Sequence, residues 1–394
     1  MKHPQIRALS GIADQGASSL TNALLTIQVA RNTTAEDFGA FALLYALLTV
    51  GTGFASVANA ETFILTYIKP NTTVGALPRR QLLGTHVGLG LATAAALALT
   101  GTLLSIDSRV TLALALAAPL VLAQDGYRML AFAVQEPWRA LTLDVIWLVV
   151  FIAASLLAPP DAAIWAWTAG ATLSLAAAGV VFGLLPTIRG LSLYLRSTRA
   201  YRRPLVADFA IAAGAGQAVT FVAAFALGFL GPAVLRVATT VCGPIAVLNT
   251  AGRLLLTPRV ASDSTRSLRT VIAGSVALAT LGTGYALVAL PALKIYGSSL
   301  FGAVWVDSQS TSLVVTVAAI VGLLAVGPNV WLRVSGRAST IVRWRAAQSA
   351  CLLGLALLLP YFIGLIGPAV AIAVATLVFA VGLSASAYRT APPV

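Results

Sequence analysis

Apolar residues occur in long runs along almost the whole chain, and short segments rich in glycine, proline or arginine separate these runs. A helix needs about 20 mostly apolar residues to cross the hydrocarbon core of a bilayer. The pattern therefore predicts twelve membrane-spanning helices, which cover residues 12–30, 38–60, 82–104, 109–127, 140–158, 162–185, 206–228, 232–256, 270–290, 308–328, 346–366 and 368–387.

The first predicted span is unusual because it is half polar. It is long enough to cross a bilayer, and a helix of about 100° per residue gathers its polar residues on one broad stripe. Unpaired polar groups in hydrocarbon cost several kcal/mol each, so this stripe must face protein or water. The residues of the stripe are Asp14, Gln15, Ser18, Ser19, Thr21, Asn22, Thr26 and Gln28.

Two interpretations of this polar stripe remain open. Its side chains could hold packed helices together, as polar residues in membrane bundles often do. They could instead line a cavity through which a substrate passes. Asp14 favours the second interpretation, since an ionisable residue inside a membrane is by default a candidate for a functional site.

Composition supports the membrane interpretation and excludes a soluble enzyme. The 394 residues are 59% hydrophobic and only 9% charged, with a mean hydropathy of +0.92, whereas a soluble domain has about 25% charged residues. The predicted fold class is an all-α polytopic membrane protein. Cys242 and Cys351 lie in apolar runs, and neither cysteines nor histidines have metal-ligand spacing. We therefore expect no metal, no cofactor and no catalytic residues.

The basic residues define an orientation for the twelve spans. If the N-terminus is cytoplasmic, 21 of the 25 Lys and Arg residues fall on the cytoplasmic side, and four, Arg31, Arg109, Arg236 and Lys294, fall on the other. This is the distribution that the positive-inside rule predicts. We expect a multi-pass protein of the cytoplasmic membrane with both termini in the cytoplasm. The net charge of +13 then reflects topology and not binding to nucleic acid.

The chain is predicted to consist of two six-span halves. The longest hydrophilic segment lies at the midpoint and is basic and amphipathic, as expected of a segment at an anionic membrane surface. A weak internal repeat with an offset of 192 residues aligns Gly39 with Gly231 and Gly51 with Gly243. The predicted domains are an N-terminal lobe (1–186), a basic linker (187–204) and a C-terminal lobe (205–394).

Several segments resemble the polysaccharide flippases of the MOP exporter superfamily. The opening ADQGASSLTNALLTIQVARNTTAEDFGAFALLYALL is similar to the polar first span, the acidic loop and the FG-x-F start of the second span in that superfamily. Residues 242–259 resemble its eighth span, and Leu300-Phe301-Gly302 and Leu332-Arg333 resemble the flanks of its tenth. The twelve-span count extends the resemblance over the whole chain.

The resemblance implies two six-helix lobes around a central cavity, and an alternating-access export of lipid-linked oligosaccharide or polysaccharide precursors. The lipid-linked sugar and the bilayer are the implied partners, with glycosyltransferases or a polymerase of the same pathway as further candidates. Two other classes stay open. A drug/cation antiporter of the same fold would favour anionic cavity walls, and a membrane-embedded polysaccharide-processing enzyme would need a sizeable loop or a polar cluster at one face.

Candidate site residues follow from the chemistry of such a substrate. Sugars need hydroxyl and amide partners, and a diphosphate needs arginine, whose planar fork matches phosphate oxygens. Asp125 with Arg128 and Asp144 with Arg139 are expected to be local ion pairs. The substrate-binding candidates are Gln15, Ser18, Asn22, Arg31, Gln217, Arg236, Asn249 and Arg253, and the candidates for binding a coupling ion are Asp14, Glu61 and Asp208.

Overall fold

The computed structural model describes residues 4–68, 74–262 and 268–390, and within these ranges every regular element is a helix. The N-terminal helices are α1 (Pro4–Asn32), α2 (Ala35–Ala55), α3 (Thr62–Tyr67), α4 (Ala76–Leu103), α5 (Ser108–Ala133), α6 (Pro137–Leu157), α7 (Ala163–Phe182), α8 (Leu191–Ser197) and α9 (Arg199–Phe209). The C-terminal helices are α10 (Ala215–Leu227), α11 (Leu230–Val241), α12 (Gly243–Ser262), α13 (Leu268–Phe301), α14 (Val304–Leu324), α15 (Val326–Val334), α16 (Ala338–Ile363) and α17 (Gly367–Thr390).

A helix or a pair of consecutive helices covers each of the twelve predicted spans. Length and apolar composition alone single out eight membrane-spanning candidates in the described ranges, or nine with the bent pair α11–α12. The lower count has physical reasons. The half-polar α1 is not apolar enough, and α10 is too short to cross a bilayer by itself. Helices α16 and α17 follow each other so closely that Ser339–Arg389 forms one apolar stretch. The all-α polytopic fold class is confirmed.

Several spans are interrupted where the sequence weakens the helical hydrogen-bond ladder. A π-helical segment, Ser56–Glu61, joins α2 to α3, and another, Ala210–Gly214, joins α9 to α10. The axes of α11 and α12 meet at 54°, immediately before Gly243-Pro244, where proline lacks the amide hydrogen that a continuous helix needs. Such breaks leave backbone polar groups for other partners.

The chain divides into two compact units. The first unit comprises residues 1–33 and 40–217, and the second comprises residues 34–39 and 218–394. The segment 187–204, which the sequence predicts to be a linker, lies in the first unit. Tyr194 of this segment is buried, and its hydroxyl donates to Asn59 Oδ1 at 2.7 Å. The predicted limits 1–186, 187–204 and 205–394 stay a prediction for the two lobes.

Each unit is built around the fourth span of its half. In the first unit, α5 packs against α4, α6 and α7. In the second unit, α14 packs against α13, α17 and α11, which belong to the third, sixth and second spans of that half. The fourth span therefore contacts the third and sixth spans in both units, whereas its other main contact is the fifth span in the first unit and the second span in the second. The internal repeat stays a prediction.

Small residues allow the helices to approach closely. A Cβ added to Gly90 of α4 would lie 2.6 Å from the Cα of Pro119 in α5. A Cβ on Gly327 of α15 would lie 2.3 Å from the carbonyl oxygen of Val271 in α13. Glycine is required at both positions because the neighbouring atoms belong to backbone, which cannot move aside.

Candidate functional site

The polar stripe of α1 faces the interior of the first unit. Asp14 is fully buried, and α1 packs chiefly on α6. Asn22 Oδ1 accepts a hydrogen bond from the Tyr45 hydroxyl at 2.8 Å, and Gln28 Oε1 accepts one from the Ser155 hydroxyl at 3.0 Å. The stripe therefore does not face lipid, and part of it ties α1 to its neighbours.

A buried ion cluster lies where α1, α5 and α6 meet. The guanidinium of Arg128 donates from Nη2 and Nε to Asp14 Oδ2, at 2.7 and 2.9 Å. Its Nε also lies 3.2 Å from Asp144 Oδ2, and its Nη1 lies 3.5 Å from Asp125 Oδ1. Gln15 Oε1 accepts a further hydrogen bond from Nη2 at 3.3 Å. One arginine thus connects carboxylates on three helices.

Local sequence explains how α5 supplies two of the four charged groups of this cluster. Asp125 and Arg128 are three residues apart and therefore share one face of the helix. Gln124 is also buried, and its amide donates to Asp144 Oδ1 at 2.8 Å. The Ser56 hydroxyl donates to Asp125 Oδ2 at 3.2 Å from the π-helical segment. A fixed network of side chains on four elements therefore surrounds the cluster.

The cluster contains more negative than positive groups. Three carboxylates surround one guanidinium, so full ionisation would leave a net charge of −2 in a desolvated place. Within the described residues, Asp14 Oδ1 accepts no hydrogen bond, and the contact of Asp144 Oδ2 is the ion contact with Arg128 Nε at 3.2 Å. Neighbouring like charges cannot both ionise cheaply when they are buried. The arrangement can therefore take up a proton, which would supply a donor to one of these oxygens.

A binding site for a multivalent metal does not fit the described part of the chain. It contains no group of three or more His, Cys, Asp or Glu side chains placed to hold a metal ion. In the cluster itself, the guanidinium of Arg128 occupies the position that a cation would need.

The structure places the sequence-derived candidates in different surroundings. Asp14 and Gln15 come together at Arg128, whereas Arg31 and Arg253 are exposed on their respective units and Asn249 lines a cavity of the second unit. The remaining candidates do not join the ion cluster: Ser18, Gln217, Asp208 and Arg236 are half-buried and Glu61 is exposed.

One of the two expected ion pairs is present, and the prediction of the other is wrong. Asp125 pairs with Arg128, as the spacing predicts. Asp144, however, pairs with Arg128 on another helix, and Arg139 Nε instead lies 2.9 Å from Glu136 Oε2. The reason is geometric: Asp144 is buried inside the unit, whereas Arg139 reaches the nearer and more exposed glutamate.

Sequence reasoning missed the central role of Arg128. A usable signal was present, since residues 124–128 read QDGYR inside an otherwise apolar span. Four polar side chains in five residues of a membrane helix indicate a buried network by the same argument that applies to α1.

A second buried network holds the segment α8–α9 against the rest of the first unit. Asn59 donates to His86 Nδ1 at 2.6 Å and to the carbonyl of Leu82 at 2.9 Å, and it accepts from Tyr194. Arg202 Nε donates to the carbonyl of Ala58 in the π-helical segment at 2.8 Å. Burial lowers the pKa of Arg202 and raises that of Tyr194.

Comparison with known proteins relates this fold to one superfamily of transporters. Neither protein-family profiles nor curated protein sequences match the chain. Among solved structures, the lipid II flippase MurJ in an inward closed conformation is similar, with a TM-score of 0.70 and 14% identity over 98% of this chain and 88% of that one.

Two transporters of the MOP superfamily are similar as well. The inward-facing conformation of a multidrug resistance MATE family transporter has a TM-score of 0.62 and 13% identity, over 98% of this chain and 100% of that one. A MOP superfamily transporter from Pyrococcus furiosus Vc1 (DSM3638) has a TM-score of 0.58 and 14% identity, over 98% and 94%. The chain therefore has the multi-pass membrane fold of these transporters.

Proposed function

We propose that the chain is an alternating-access transporter that moves lipid-linked oligosaccharide or polysaccharide precursors across the cytoplasmic membrane. In this proposal both termini are cytoplasmic, and the saccharide moves from the inner to the outer leaflet. The head group of such a lipid cannot cross hydrocarbon alone, because its hydroxyls and phosphates would lose their water. Protein side chains must replace that water during the passage.

The observation that carries the proposal is the buried ion cluster around Arg128. A transporter needs an element whose protonation or ion binding changes its energy. Asp14 and Asp144 supply it, because these two buried carboxylates share a single guanidinium and Asp14 Oδ1 accepts no hydrogen bond. Proton binding would remove one negative charge and alter how α1 is held to α5 and α6. Asp14 is the proposed coupling residue.

The basic residues support an anionic substrate. Arginine provides 22 of the 25 basic residues, and Arg31 and Arg253 are exposed on their units. Arginine binds phosphate oxygens with two parallel hydrogen bonds. Outward movement of an anion is also assisted by the membrane potential, by about 2.3 kcal/mol per charge per 100 mV.

The acidic excess of the ion cluster favours the second candidate function, export of a drug or another organic cation. Three carboxylates lie around a single arginine, and such an excess of negative charge attracts a cation. The two candidates differ in the substrate that moves, so one experiment distinguishes them.

A leaflet assay tests the proposal. Purified protein is reconstituted into proteoliposomes that contain a fluorescent polyprenyl-diphosphate saccharide, and quenching of the outer-leaflet dye measures its movement. We expect movement that depends on the pH difference across the bilayer. Asp14→Asn, which keeps the size but cannot bind a proton at neutral pH, should lower the rate by roughly tenfold, the equivalent of about 1.4 kcal/mol.

The exposed Asp161, changed to Asn, is the matched control and should leave the rate unchanged. If the lipid stays on its original leaflet with every protein while a cationic dye is expelled, the antiporter is the correct function. If neither moves, transport is rejected for both substrate classes.

A further inference from the structure

The second unit holds a cavity of about 390 Å³ at its broken helix. Thr239 and Cys242 line it beside the 54° bend between α11 and α12, and Asn249 lines it two turns later. Helices α14, α16 and α17 complete the wall. The volume falls in the range of small-molecule sites, about 300–1,000 Å³. Discontinuous membrane helices are also where transporters place their binding sites.

The lining of this cavity is polar but uncharged in the described residues. Its polar side chains are those of Thr239, Cys242, Asn249, Gln348 and Thr376, and apolar side chains, Ile245 and Phe379 among them, form most of the wall. An ion placed here would lose its water without gaining a counter-ion, which is costly. The chemistry of the wall therefore favours a neutral group that has both polar and apolar faces.

Two amides of the cavity are available to a ligand. Asn249 and Gln348 are half-buried, and in the described part of the chain neither forms a hydrogen bond with the protein. Each amide has two donor positions and one acceptor oxygen. Cys242 differs, because its thiol already contacts Thr316 Oγ1 at 3.3 Å. The amides lie on α12 and α16, so a ligand that donates and accepts would bridge the two helices.

We propose that this cavity binds an uncharged pyranose ring of the transported saccharide. The ring hydroxyls would pair with Asn249 and Gln348, and the apolar face of the ring would pack against Phe379, as sugars do on aromatic rings. This inference rests on the proposed function and deepens it: the neutral sugar is held in the second unit, and the charged diphosphate is held by other groups.

Photolabelling of the purified full chain in phosphatidylcholine nanodiscs tests this proposal. The probe is octyl glucoside with a diazirine on the sugar, and mass spectrometry locates the attached label. We expect label on peptides that contain residues 239–249, 348 or 372–379. Excess unlabelled octyl glucoside should compete with the probe, and octyl phosphate and octyltrimethylammonium should not.

Variants sharpen the test. The double variant Asn249→Leu with Gln348→Leu should lose labelling by about tenfold, since both amide partners are removed. Ala246→Phe should block the cavity without removing a hydrogen-bonding group. Gln309→Leu, an exposed glutamine on α14, is the matched control and should label normally.

Label elsewhere on the chain would overturn the proposal, and so would equal competition by the charged amphiphiles. Both outcomes can be measured with the unaltered protein, so they do not depend on whether a variant folds. The leaflet assay is independent of the labelling. Movement of the lipid without label in the cavity rejects the sugar site alone, and label without movement rejects the transport function alone.

Discussion

The central helices of the two units carry different chemistry. The central helix of the first unit, α5, contributes Asp125 and Arg128 to a buried ion cluster. The central helix of the second unit, α14, buries the hydroxyls of Ser308, Thr311, Ser312 and Thr316 instead. Among the described residues, the fully buried carboxylates, Asp14 and Asp144, both belong to the first unit.

The difference between buried ions and buried hydroxyls affects how the helices of each unit are held together. A buried hydroxyl can satisfy itself on its own helix, as Ser308 does on the carbonyl of Val304 at 2.7 Å. A buried ion needs a charged partner, and Arg128 finds two of its three partners, Asp14 and Asp144, on other helices. The ion cluster therefore ties three helices of the first unit together, whereas a hydroxyl such as that of Ser308 needs no second helix.

Removal of the central arginine is the change that should affect this comparison most. Arg128→Ala leaves Asp14 and Asp144 buried without a counter-charge, and breaking a buried pair in this way costs about 3–5 kcal/mol. We expect a large drop in the midpoint of thermal unfolding of the purified protein. Arg139→Ala is the control, because its pair with Glu136 is partly exposed and should contribute less than about 1 kcal/mol.

A further variant separates charge imbalance from lost packing. Arg128→Met combined with Asp14→Asn and Asp144→Asn removes the guanidinium and both buried charges together. It should be more stable than Arg128→Ala, since no uncompensated ion remains. Equal destabilisation by the triple variant and the single variant would contradict an electrostatic role for the cluster.

The hydrogen bond between Tyr194 and Asn59 is a neutral pair buried in the first unit, and it tests whether charge or burial sets the energetic cost. Tyr194→Phe removes the donor to Asn59 Oδ1 and should cost about 1–3 kcal/mol. Hydrogen exchange should accelerate over residues 191–209, whereas the exposed Tyr201, changed to Phe, should have little effect. An effect as large as that of Arg128→Ala would show that burial and not charge decides.

The pH dependence of stability in the unaltered protein and in Tyr194→Phe follows from the direction in which the pKa of Tyr194 is shifted. Burial raises the pKa of Tyr194 above the ordinary value of about 10. A group with a raised pKa in the folded state contributes stability that is fully present below the unfolded pKa and lost as pH rises through the folded one. The unaltered protein should therefore lose stability above about pH 10, and Tyr194→Phe should lose less.

In the second unit, two serine variants are expected to differ, and the smaller of their effects is the smallest expected here. Ser275 Oγ of α13 accepts a hydrogen bond from the amide of Gly327 at 2.6 Å, an amide at the start of α15 that has no acceptor within its own helix. Ser275→Ala should cost about 1–3 kcal/mol, because this buried amide loses its partner. Ser308→Ala should cost less than about 1 kcal/mol, because the Val304 carbonyl keeps its helical hydrogen bond.

Equal losses of stability in the two serine variants would contradict this expectation. They would show that a hydrogen bond within one helix and a hydrogen bond between helices contribute equally in the second unit. Thermal unfolding of the two variants, measured in the same detergent, decides this point.

Hydropathy determines the membrane class and the positions of the spans. Twenty apolar residues cannot stay in water, and a backbone in lipid must satisfy its hydrogen bonds locally, so the helical fold class follows from the sequence alone. The polar stripe of α1 also predicts correctly that this helix turns its polar side towards protein. The resemblance to the MOP superfamily agrees with the similarity to solved structures.

Only the tertiary structure decided which polar groups meet. The sequence singles out Asp14 as an ion inside the membrane, but 114 residues separate Asp14 from its partner Arg128. The arginine expected to pair with Asp144, Arg139, pairs with Glu136 instead. Periodicity orients a side chain around its own helix, whereas the neighbouring helix is selected by packing over the whole unit. The cavity beside α12 likewise requires helices α14, α16 and α17 to surround one bend.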